Sequence, residues 1–547
     1  MVPASSPLLA HELLQGFLAP HAPAATRLER LLPSSGTLPG ITRLGGDHPL
    51  AHSLVGWLRS CGQVLFINNP LSGLLLLLAM ALQSFWAAGL TLLAIAAAHL
   101  VARASGADRQ ARLNGIYGFN GALVGSGVAA LADLAPAAGP WLWLLLVLLG
   151  AGLTTLLVQR LGGWLVRRIA LPPLTLPFCL VTWLLLLLAS ALAHPGLPLA
   201  AAAPPAPEVS GPLLALLQAL PRGFGQVFFL PGLASGTLAL LAVAAASPLA
   251  ALVGLAGGLV GGATGLLLGA PAADVAQGLW SFNGVLTAIA VAGIFYPLTR
   301  RSLLAGLVAA AFSSLLIVPL AALLLRLSGT PLPPLTLPFI VATLLTLLLL
   351  RRTLPTLIPV GLHSILTPEE HRRRFDVARR LMADFRRQLR GSLAGDRYPS
   401  LLAQAEPALV VELEALFASL DLDRDGRLSV AELAAGLGGG AAAVGQDALA
   451  AVLAAIDLDG DGRVDAVEFS ELMLRLRRLR DGEERLLHYL LPIDADGDDR
   501  LDPVELNRLL GSVGQPPLQP REQRHIFGEQ LGAGLSWKQF LDRLLLI

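Results

Sequence analysis

The chain has 547 residues, of which 54% are hydrophobic and only 14% are charged, and its mean hydropathy is +0.66. Because soluble domains carry about 25% charged residues, this composition excludes an ordinary soluble protein and predicts a polytopic, all-α membrane protein. The net charge of +1 excludes a general attraction to nucleic acid, and two cysteines are too few for a disulfide framework.

Residues 1–45 have no basic segment ahead of an apolar core, and Pro20, Pro23, Pro33 and Pro39 interrupt the segment. A cleaved secretory signal has the opposite pattern. We therefore expect residues 1–45 to form a cytoplasmic N-terminal tail.

Ten apolar stretches are long enough to cross a hydrocarbon core of about 30 Å. They lie at 53–82, 84–102, 119–135, 140–159, 174–193, 226–245, 247–270, 282–298, 303–325 and 335–350. With residue 1 in the cytoplasm, ten arginines fall in loops predicted inside, and only Arg222 and Arg326 fall in loops predicted outside. By the positive-inside rule, we expect both termini to be cytoplasmic.

Three motifs occur twice in this region. The segment 63–73 aligns on 226–236 and Phe-Asn-Gly at 119–121 recurs at 282–284, both at an offset of 163, while 171–178 matches 332–339 at an offset of 161. The duplication predicts two five-helix transmembrane repeats, 46–193 and 213–352, joined by a periplasmic linker, 194–212. Since five is odd, the second repeat is inverted, and inverted repeats place a solute path at their interface.

The repeated motifs supply uncharged polar groups between aromatic and aliphatic side chains. Such groups replace the hydration of a polar solute without holding it tightly. Paired aromatic faces around a file of oxygens describe a flat slot for a small planar molecule with several N–H donors. The predicted pore residues are Gln63, Phe66, Phe119, Leu123, Thr175, Gln226, Phe229, Phe282, Leu286 and Thr336.

Ordinary roles compete with this interpretation at each position. A single Phe or Leu in a membrane protein more often faces lipid or packs, and Thr often bonds the carbonyl four residues earlier. Asn120 and Asn283 suit the capping of a half-helix as well as they suit contact with solute.

No Asp, Glu or Lys lies at the centre of a predicted span, because Asp133 and Asp274 fall at span ends. Proton relays and ion-coupled pumps usually need such a group in the membrane. We therefore expect downhill passage of a neutral solute.

These motifs resemble the urea transporter family over roughly residues 45–390. The similarity is carried by 63–73, 115–125, 278–283, the doubled Thr-Leu-Pro-Phe and the segment Thr367-Pro-Glu-Glu-His-Arg. The resemblance implies channel-like urea permeation and a homotrimer in the cell (inner) membrane, each protomer with its own pore. It further implies two urea sites at the Phe and Leu positions, with Thr175 and Thr336 at the constriction between them. Phe229-Leu-Pro-Gly232 departs from the Asn-Pro or Asp-Pro pair usual in the family, which the first repeat has as Asn68-Asn69-Pro70.

Residues 353–404 form a basic connector. Thr367-Pro-Glu-Glu predicts a helix start, and apolar residues then recur at helical spacing at 375, 378, 382, 385 and 389, among arginines. Such a basic amphipathic helix is typical of a lipid-surface element, and it also has the character of a target for an EF-hand groove.

Residues 405–547 carry three loops with oxygens at the spacing of calcium ligands, including a bidentate Glu at position 12. We therefore predict a soluble, α-helical EF-hand domain that binds Ca²⁺. In the third loop Asp499 replaces the usual glycine, so we expect weaker binding there. The predicted ligands are Asp421, Asp423, Asp425, Arg427, Ser429 and Glu432; Asp457, Asp459, Asp461, Arg463, Asp465 and Glu468; and Asp494, Asp496, Asp498, Arg500, Asp502 and Glu505. The arginines contribute only backbone carbonyls.

A fourth hand is due near residue 528, where the ligand positions hold Gly528, Gln530, Gly532 and Gln539. We expect a metal-free partner for the third hand, in a tail that resembles the calmodulin-like superfamily. Whether this tail is a sensor or a structural calcium or magnesium module stays open at the level of sequence.

The leading hypothesis is a passive urea channel with a possible regulatory EF-hand domain. The alternative is a membrane-anchored calcium sensor that acts through partner binding and has a degenerate pore. An ion channel would need a ring of charge or a carbonyl filter that the sequence lacks, and no motif of an enzyme is present.

Overall fold

A computed structural model describes residues 34–134, 141–192, 197, 199–200, 209, 211–361, 365–394, 402, 405–429, 431–432, 435, 457, 463–474, 493, 498, 500–528, 534–536 and 540. In this part of the chain the structure is helical, apart from four two-residue strands and an isolated bridge between Ala132 and Leu199. The predicted all-α class is confirmed. The chain forms two compact units, one of residues 25–373 and one that contains residues 374–547.

The first helix series lies in residues 39–192. It consists of α1 (Pro39–Asp47), α2 (Pro49–Gln63), α3 (Pro70–Gln83), α4 (Phe85–Ala104), α5 (Arg109–Leu113), α6 (Phe119–Leu131), α7 (Trp141–Leu157), a π-helical turn (Val158–Gly162), α8 (Gly163–Ile169) and α9 (Leu176–Leu192).

The second series lies in residues 212–353. It consists of α10 (Pro212–Gln226), α11 (Leu233–Ala246), α12 (Pro248–Leu267), α13 (Ala272–Ala276), α14 (Phe282–Ile289), a π-helical turn (Ala290–Ile294), α15 (Arg300–Leu315), α16 (Ile317–Ser328) and α17 (Leu337–Thr353). The bounds of α10 to α13 equal those of α2 to α5 at the offset of 163, and α17 equals α9 at the offset of 161. The duplication seen in the sequence is therefore also a duplication of helix bounds.

The expected span 53–82 is interrupted in the structure. Between α2 and α3 the chain turns at Phe66, whose φ is 62°, and Pro70 starts the next helix. The equivalent turn at Phe229, with φ 61°, divides α10 from α11. A left-handed conformation is unfavourable for a bulky residue, so a phenylalanine is not expected at such a turn. Because phenylalanine is also apolar, hydropathy gives no sign of the turn either.

By length and composition, α4, the continuous stretch Trp141–Ile169 and α12 qualify as complete spans, and the pair α15–α16, bent by 42°, adds a fourth. The other apolar segments that we expected to cross the membrane include shorter helices, among them α3, α6, α9 and α11. The described helices are therefore not ten full-length spans of equal kind. Turns such as those at Phe66 and Phe229 divide the apolar sequence into shorter helices.

Close approach of the backbones depends on two equivalent glycines. A Cβ on Gly115 would lie 2.5 Å from the Ser60 nitrogen, and one on Gly278 would lie 2.7 Å from the Arg222 carbonyl carbon. Both glycines have positive φ, 74° and 83°, so any side chain would also be strained. These contacts hold the loops before α6 and α14 against α2 and α10.

The two series share one apolar core. Its buried residues come from both halves, for example Ala79, Leu123, Leu286 and Phe339. The equivalent helices α3 and α11 pack against each other, and the Ser72 hydroxyl donates to the Ala242 carbonyl at 2.6 Å. Residues 25–373 are therefore one packed body.

The second unit contains most of α18 (Pro368–Ala394), followed by α19 (Pro407–Leu420), β1 (Arg427–Leu428), β2 (Val464–Asp465), β3 (Arg500–Leu501), α20 (Pro503–Ser512), α21 (Pro520–Phe527) and β4 (Leu535–Ser536). The strands pair antiparallel, β1 with β2 and β3 with β4. This links the predicted loops in two pairs, the first with the second and the third with the degenerate fourth.

A candidate solute path and the calcium loops

Two threonine hydroxyls meet where the helix series join. Thr175 Oγ1 and Thr336 Oγ1 lie 2.7 Å apart, and the two residues are 4% and 3% exposed. Each directly precedes a helix, α9 or α17, and each follows a leucine with a φ of 50°. The structure thus brings together the two oxygens that the sequence predicts at a constriction.

Asn120 and Asn283 hold the turns that carry these threonines. Asn120 Oδ1 accepts the Phe178 N–H at 3.0 Å, and Asn283 Oδ1 accepts the Phe339 N–H at 3.3 Å. Their Nδ2 groups donate to the carbonyls of the two leucines before the threonines, at 3.4 and 3.5 Å. Both amides therefore satisfy backbone groups at a helix start, which is the capping role of the two considered from sequence.

The two glutamines make equivalent bonds. Gln63 Nε2 donates to the Asn114 carbonyl at 3.0 Å, and Gln226 Nε2 donates to the Gln277 carbonyl at 2.9 Å. In each case the bond ties the end of α2 or α10 to the loop before α6 or α14. The amide nitrogen is thereby engaged, and the glutamine is fixed in position.

The aromatic contacts cross between the series reciprocally. Phe66 packs edge-on against Phe339 with ring centroids 6.1 Å apart, and Phe229 packs against Phe178 at 6.2 Å. Exchanging the repeats converts the first pair into the second and interchanges Thr175 with Thr336. The site therefore has a pseudo-twofold relation centred on the threonine pair.

A cavity of about 670 Å³ opens beside this centre. Of the predicted pore residues, those of the first repeat, Gln63, Phe66, Phe119 and Thr175, line it. Leu123 and Leu286 are fully buried, and neither lines this cavity. Nor do Gln226, Phe229, Phe282 and Thr336, the other members of the second-repeat set.

Sequence reasoning missed three groups at the site. Cys179 Sγ lies 3.2 Å from Thr336 Oγ1, and only its position just after the Thr-Leu-Pro-Phe motif could have indicated this. Ile365 and Leu366 line the cavity although they follow the last apolar stretch by many residues. No pattern in the sequence distinguishes them from other apolar loop residues.

The chain after Leu366 is attached to the membrane helices by Glu369. Its Oε1 accepts the Leu249 N–H at 2.8 Å, and its Oε2 accepts the Ser247 hydroxyl at 2.6 Å. Since Ser247 is the N-cap of α12, this carboxylate lies at the positive end of a helix, where negative charge is favourable. The start of α18 is thereby fixed beside the cavity wall.

All six predicted ligands of the first calcium loop are described, and three of them have the geometry of a cation site. Ligand oxygens of Asp421, Asp423 and Glu432 lie within 4.8 Å of one another. Asp421 Oδ2 accepts the Gly426 N–H at 2.9 Å, whereas its buried Oδ1 has no hydrogen-bond partner among the described residues. Hydrogen bonds, first of all from the Ser429 N–H, lower the pKa of Glu432. These oxygens fit a divalent cation.

The other two loops are described in part. In the second, Asp465 and Glu468 exchange backbone-to-carboxylate bonds of 2.9 and 3.1 Å, and in the third, Asp502 and Glu505 form the same arrangement, at 2.7 and 3.2 Å. Asp457, Arg463, Asp498 and Arg500 are also described. The predicted ligands Asp459, Asp461, Asp494 and Asp496, and Asp499, lie outside the described residues.

Most of the predicted apolar face of α18 is buried, and Phe375 is partly buried. Ala378, Met382, Phe385 and Leu389 are all at most 1% exposed, and the rings of Phe385 and Phe540 lie 6.0 Å apart. This arrangement agrees with the sequence interpretation of α18 as the target of a hand, and the buried face is not free to lie on a lipid surface.

The chain is similar to known proteins in both units. Residues 54–351 match the family model "Urea transporter", and residues 411–474 match the model "EF-hand domain pair". Urea transporter 1 of Ovis aries is 33% identical over 335 residues, which cover 60% of this chain and 84% of that protein. Urea transporter 1 of Rattus norvegicus is 32% identical over 339 residues, with the same coverage.

Proposed function

The chain belongs to the urea transporter family and carries an EF-hand domain, and from this premise we propose that it is a passive, channel-like path for urea under the control of calcium. The observation that carries the proposal is the Thr175–Thr336 hydroxyl pair at the junction of the two helix series. Thr175 also borders the cavity, so one hydroxyl of the pair lies at its wall.

Urea fits the chemistry of this path. It is planar, with N–H donors at its edges, so hydroxyl oxygens at the constriction accept its hydrogen bonds. Phe66 and Phe119 present ring surfaces in the cavity, against which a flat molecule packs. In this proposal Gln63 and Gln226 guide the solute toward the threonines, and Phe229, Phe282, Leu123 and Leu286 support or line the other half of the path.

Passive transport is supported by the scarcity of acidic residues and lysine: Asp108 and Arg167 line the cavity, but the threonine pair itself carries no charge. Between residues 48 and 368 the sequence holds only four acidic residues and no lysine: Asp108, Asp133, Glu208 and Asp274. The hydrogen bonds of the threonine hydroxyls are to each other and to Cys179. A coupled transporter needs a group that exchanges a proton or sodium ion at the solute site, and neutral hydroxyls do not supply one.

The proposed assembly follows the family. In it, three protomers each contain a complete path, the second repeat is inverted relative to the first, and both termini are cytoplasmic. The excess of arginine in the loops assigned to the cytoplasm supports this orientation.

Calcium enters the proposal through the chain that follows the last span. Ile365 and Leu366 belong to the cavity wall, and α18 begins at Pro368 and continues toward the hands. A calcium-dependent change in the hands that moves α18 would therefore displace part of that wall. Three ions per chain, one in each of the first three loops, are the proposed stoichiometry.

The test is stopped-flow urea flux in proteoliposomes, in chelator and in micromolar calcium. We expect flux well above that of protein-free vesicles and a calcium-dependent change of about fivefold or more, the scale of an allosteric coupling of 1–3 kcal/mol. Replacing Glu432, Glu468 and Glu505 together by Gln should abolish the calcium dependence and leave urea permeation intact. The matched control replaces the exposed Glu406, Glu412 and Glu414 by Gln.

The outcomes separate the two parts of the proposal. Equal flux in both conditions, with calorimetry showing that wild type binds calcium, rejects calcium control but leaves the urea path. Flux no greater than in protein-free vesicles rejects the path and favours the alternative, a membrane-anchored calcium sensor with a degenerate pore.

A further inference from the structure

The degenerate fourth hand surrounds a buried arginine of α18. Arg386 donates from Nη1 to the Pro516 carbonyl at 3.0 Å and from Nη2 to the Pro517 carbonyl at 2.9 Å. The same Nη2 lies 3.0 Å from Glu522 Oε2, and both side chains of this ion pair are at most 4% exposed. All three partners belong to the fourth hand or to the linker that leads into it.

The position of Glu522 is fixed by a hydrogen bond at the start of its own helix as well as by Arg386. It lies in the first turn of α21, and its Oε2 accepts the Gln519 N–H at 2.6 Å in a capping box. A buried carboxylate is unfavourable unless charge and hydrogen bonds compensate its lost hydration, and here Arg386 supplies the charge. Arg390, which is more exposed, approaches the other oxygen at 3.7 Å.

Apolar contacts surround this pair. Phe385, adjacent to the arginine, packs edge-on against Phe540 with ring centroids 6.0 Å apart. Met382 and Leu389, about one turn away on either side, are fully buried, and so is Ile526 of α21. A basic amphipathic helix whose apolar face is buried is the kind of ligand that EF-hands bind in a groove.

We infer that the fourth hand holds α18 through Arg386 at all calcium concentrations. We call this contact of Arg386 with Pro516, Pro517 and Glu522 the clasp. The hand lacks carboxylates at its calcium-ligand positions and binds the connector helix instead. The ligand positions of this hand hold Gly528, Gln530, Gly532 and Gln539, which contain no carboxylate. The Arg386 bonds use no side chain of the three predicted calcium loops. The clasp therefore keeps α18 attached to the fourth hand whether or not calcium occupies the first three loops.

The clasp has a direct test in hydrogen–deuterium exchange of the full-length protein in nanodiscs, which does not depend on urea transport. Amides of residues 378–390 should be protected equally in chelator and in micromolar calcium. Arg386→Ala should increase their exchange by about tenfold or more, since it leaves the buried Glu522 carboxylate with only the more distant and exposed Arg390. Exchange in 520–527 should rise with it.

Two arginine variants serve as controls, and Glu522→Gln tests the same ion pair from its acidic partner. Arg387→Ala removes a neighbouring arginine whose side chain is 76% exposed, and it should exchange like wild type; Arg390→Ala should have a small effect. Glu522→Gln removes the charge but keeps an acceptor for the Gln519 N–H, so it should loosen α18 without the loss of α21. Exchange in α19 reports whether the rest of the tail stays folded.

Two results would overturn the clasp. One is protection of 378–390 in wild type only when calcium is present, which would make the capture calcium-driven. The other is exchange in both Arg386→Ala and Glu522→Gln that equals that of Arg387→Ala.

Discussion

The two repeats begin their equivalent helices α3 and α11 in different ways. Asn69 caps α3 itself: its Oδ1 accepts the Ser72 N–H at 3.1 Å, and its Nδ2 donates to the Ser34 and Gly36 carbonyls. At the equivalent position before α11 stands Gly232, which has no side chain. There Gln83 Oε1, from the end of α3, accepts the Gly232 N–H at 3.1 Å and the Ser235 hydroxyl at 3.0 Å.

This difference shows how a duplicated scaffold tolerates the loss of a motif. Asn69 caps the first turn of α3, whereas no side chain caps a first-turn N–H of α11. With Gly232 in place of the asparagine, Gln83 of the other repeat bonds the Gly232 N–H, just before α11, and the hydroxyl of Ser235 in its first turn. Around the threonines the repeats are nearly equivalent, except that Thr336 also contacts Cys179, whose counterpart in the second repeat is Ile340.

The largest effect on urea flux is expected at Asn120 and Asn283, whose hydrogen bonds are equivalent in the two repeats. Asn120→Ala or Asn283→Ala leaves a buried N–H of Phe178 or Phe339 without its acceptor, at a cost of about 1–3 kcal/mol. We expect a lower melting temperature and roughly tenfold slower urea flux, because the turn that positions the threonine is loosened. The effect should be larger at Asn120, whose bond is shorter, 3.0 against 3.3 Å.

The control for this pair is Ser126→Ala. Ser126 is also buried on α6, but its hydroxyl bonds only a carbonyl of the same helix, that of Leu123. Should either asparagine variant transport urea as fast as Ser126→Ala, the role of that asparagine in holding the constriction would be disproved.

Replacing either threonine of the pair should slow urea flux severalfold. Thr175→Val or Thr336→Val keeps the shape but removes one hydroxyl oxygen, and one lost hydrogen bond to a desolvated solute is worth about 1–1.5 kcal/mol. Stopped-flow measurements should show slower urea flux in both. Thr336→Val also removes the contact with Cys179, so unequal effects would measure how far this contact breaks the equivalence. Wild-type flux in both variants would remove the threonines from the path.

The smallest effect on urea flux is expected at Asn69 and Gln83, which support the starts of α3 and α11 in different ways. Asn69→Ala removes a helix cap and Gln83→Ala removes an acceptor of two hydrogen bonds, so each should lower stability by about 1 kcal/mol and change urea flux little. Because the two residues lie at opposite ends of α3, about 20 Å apart, their effects on melting temperature should add in the double variant. A Gln83→Ala protein with the melting temperature of wild type would show that the bonds from Gln83 to Gly232 and Ser235 do not stabilise the start of α11.

The sequence was sufficient for features that repeat or have fixed spacing. The duplicated motifs led to Thr175 and Thr336, which the structure brings together, and the loop spacing led to the carboxylates of Asp421, Asp423 and Glu432. Local chemistry also allowed Asn120 to be considered as a cap. These inferences depend on neighbours in sequence or on a second copy of the same motif.

The remainder depends on contacts between distant residues of different type. Gln83 bonds the residues at the start of a helix that begins 150 residues later, and nothing in its own sequence surroundings indicates this contact. The turn at Phe66 lies inside a continuous apolar run, where hydropathy predicts an unbroken span. Arg386 is one of many arginines in the connector, and only the fold shows that it, unlike Arg387, is buried against Glu522.

The central claim, that neutral oxygens on a pseudo-twofold axis provide a passive path for urea, is tested most directly by labelled urea at equilibrium. Proteoliposomes would be loaded with equal urea on both sides and then given a pH gradient, a sodium gradient or a membrane potential. A passive path predicts that the ratio of internal to external urea stays at one under every condition, since no acidic or basic side chain bonds the threonine hydroxyls. Accumulation of urea driven by any of these gradients would contradict the claim.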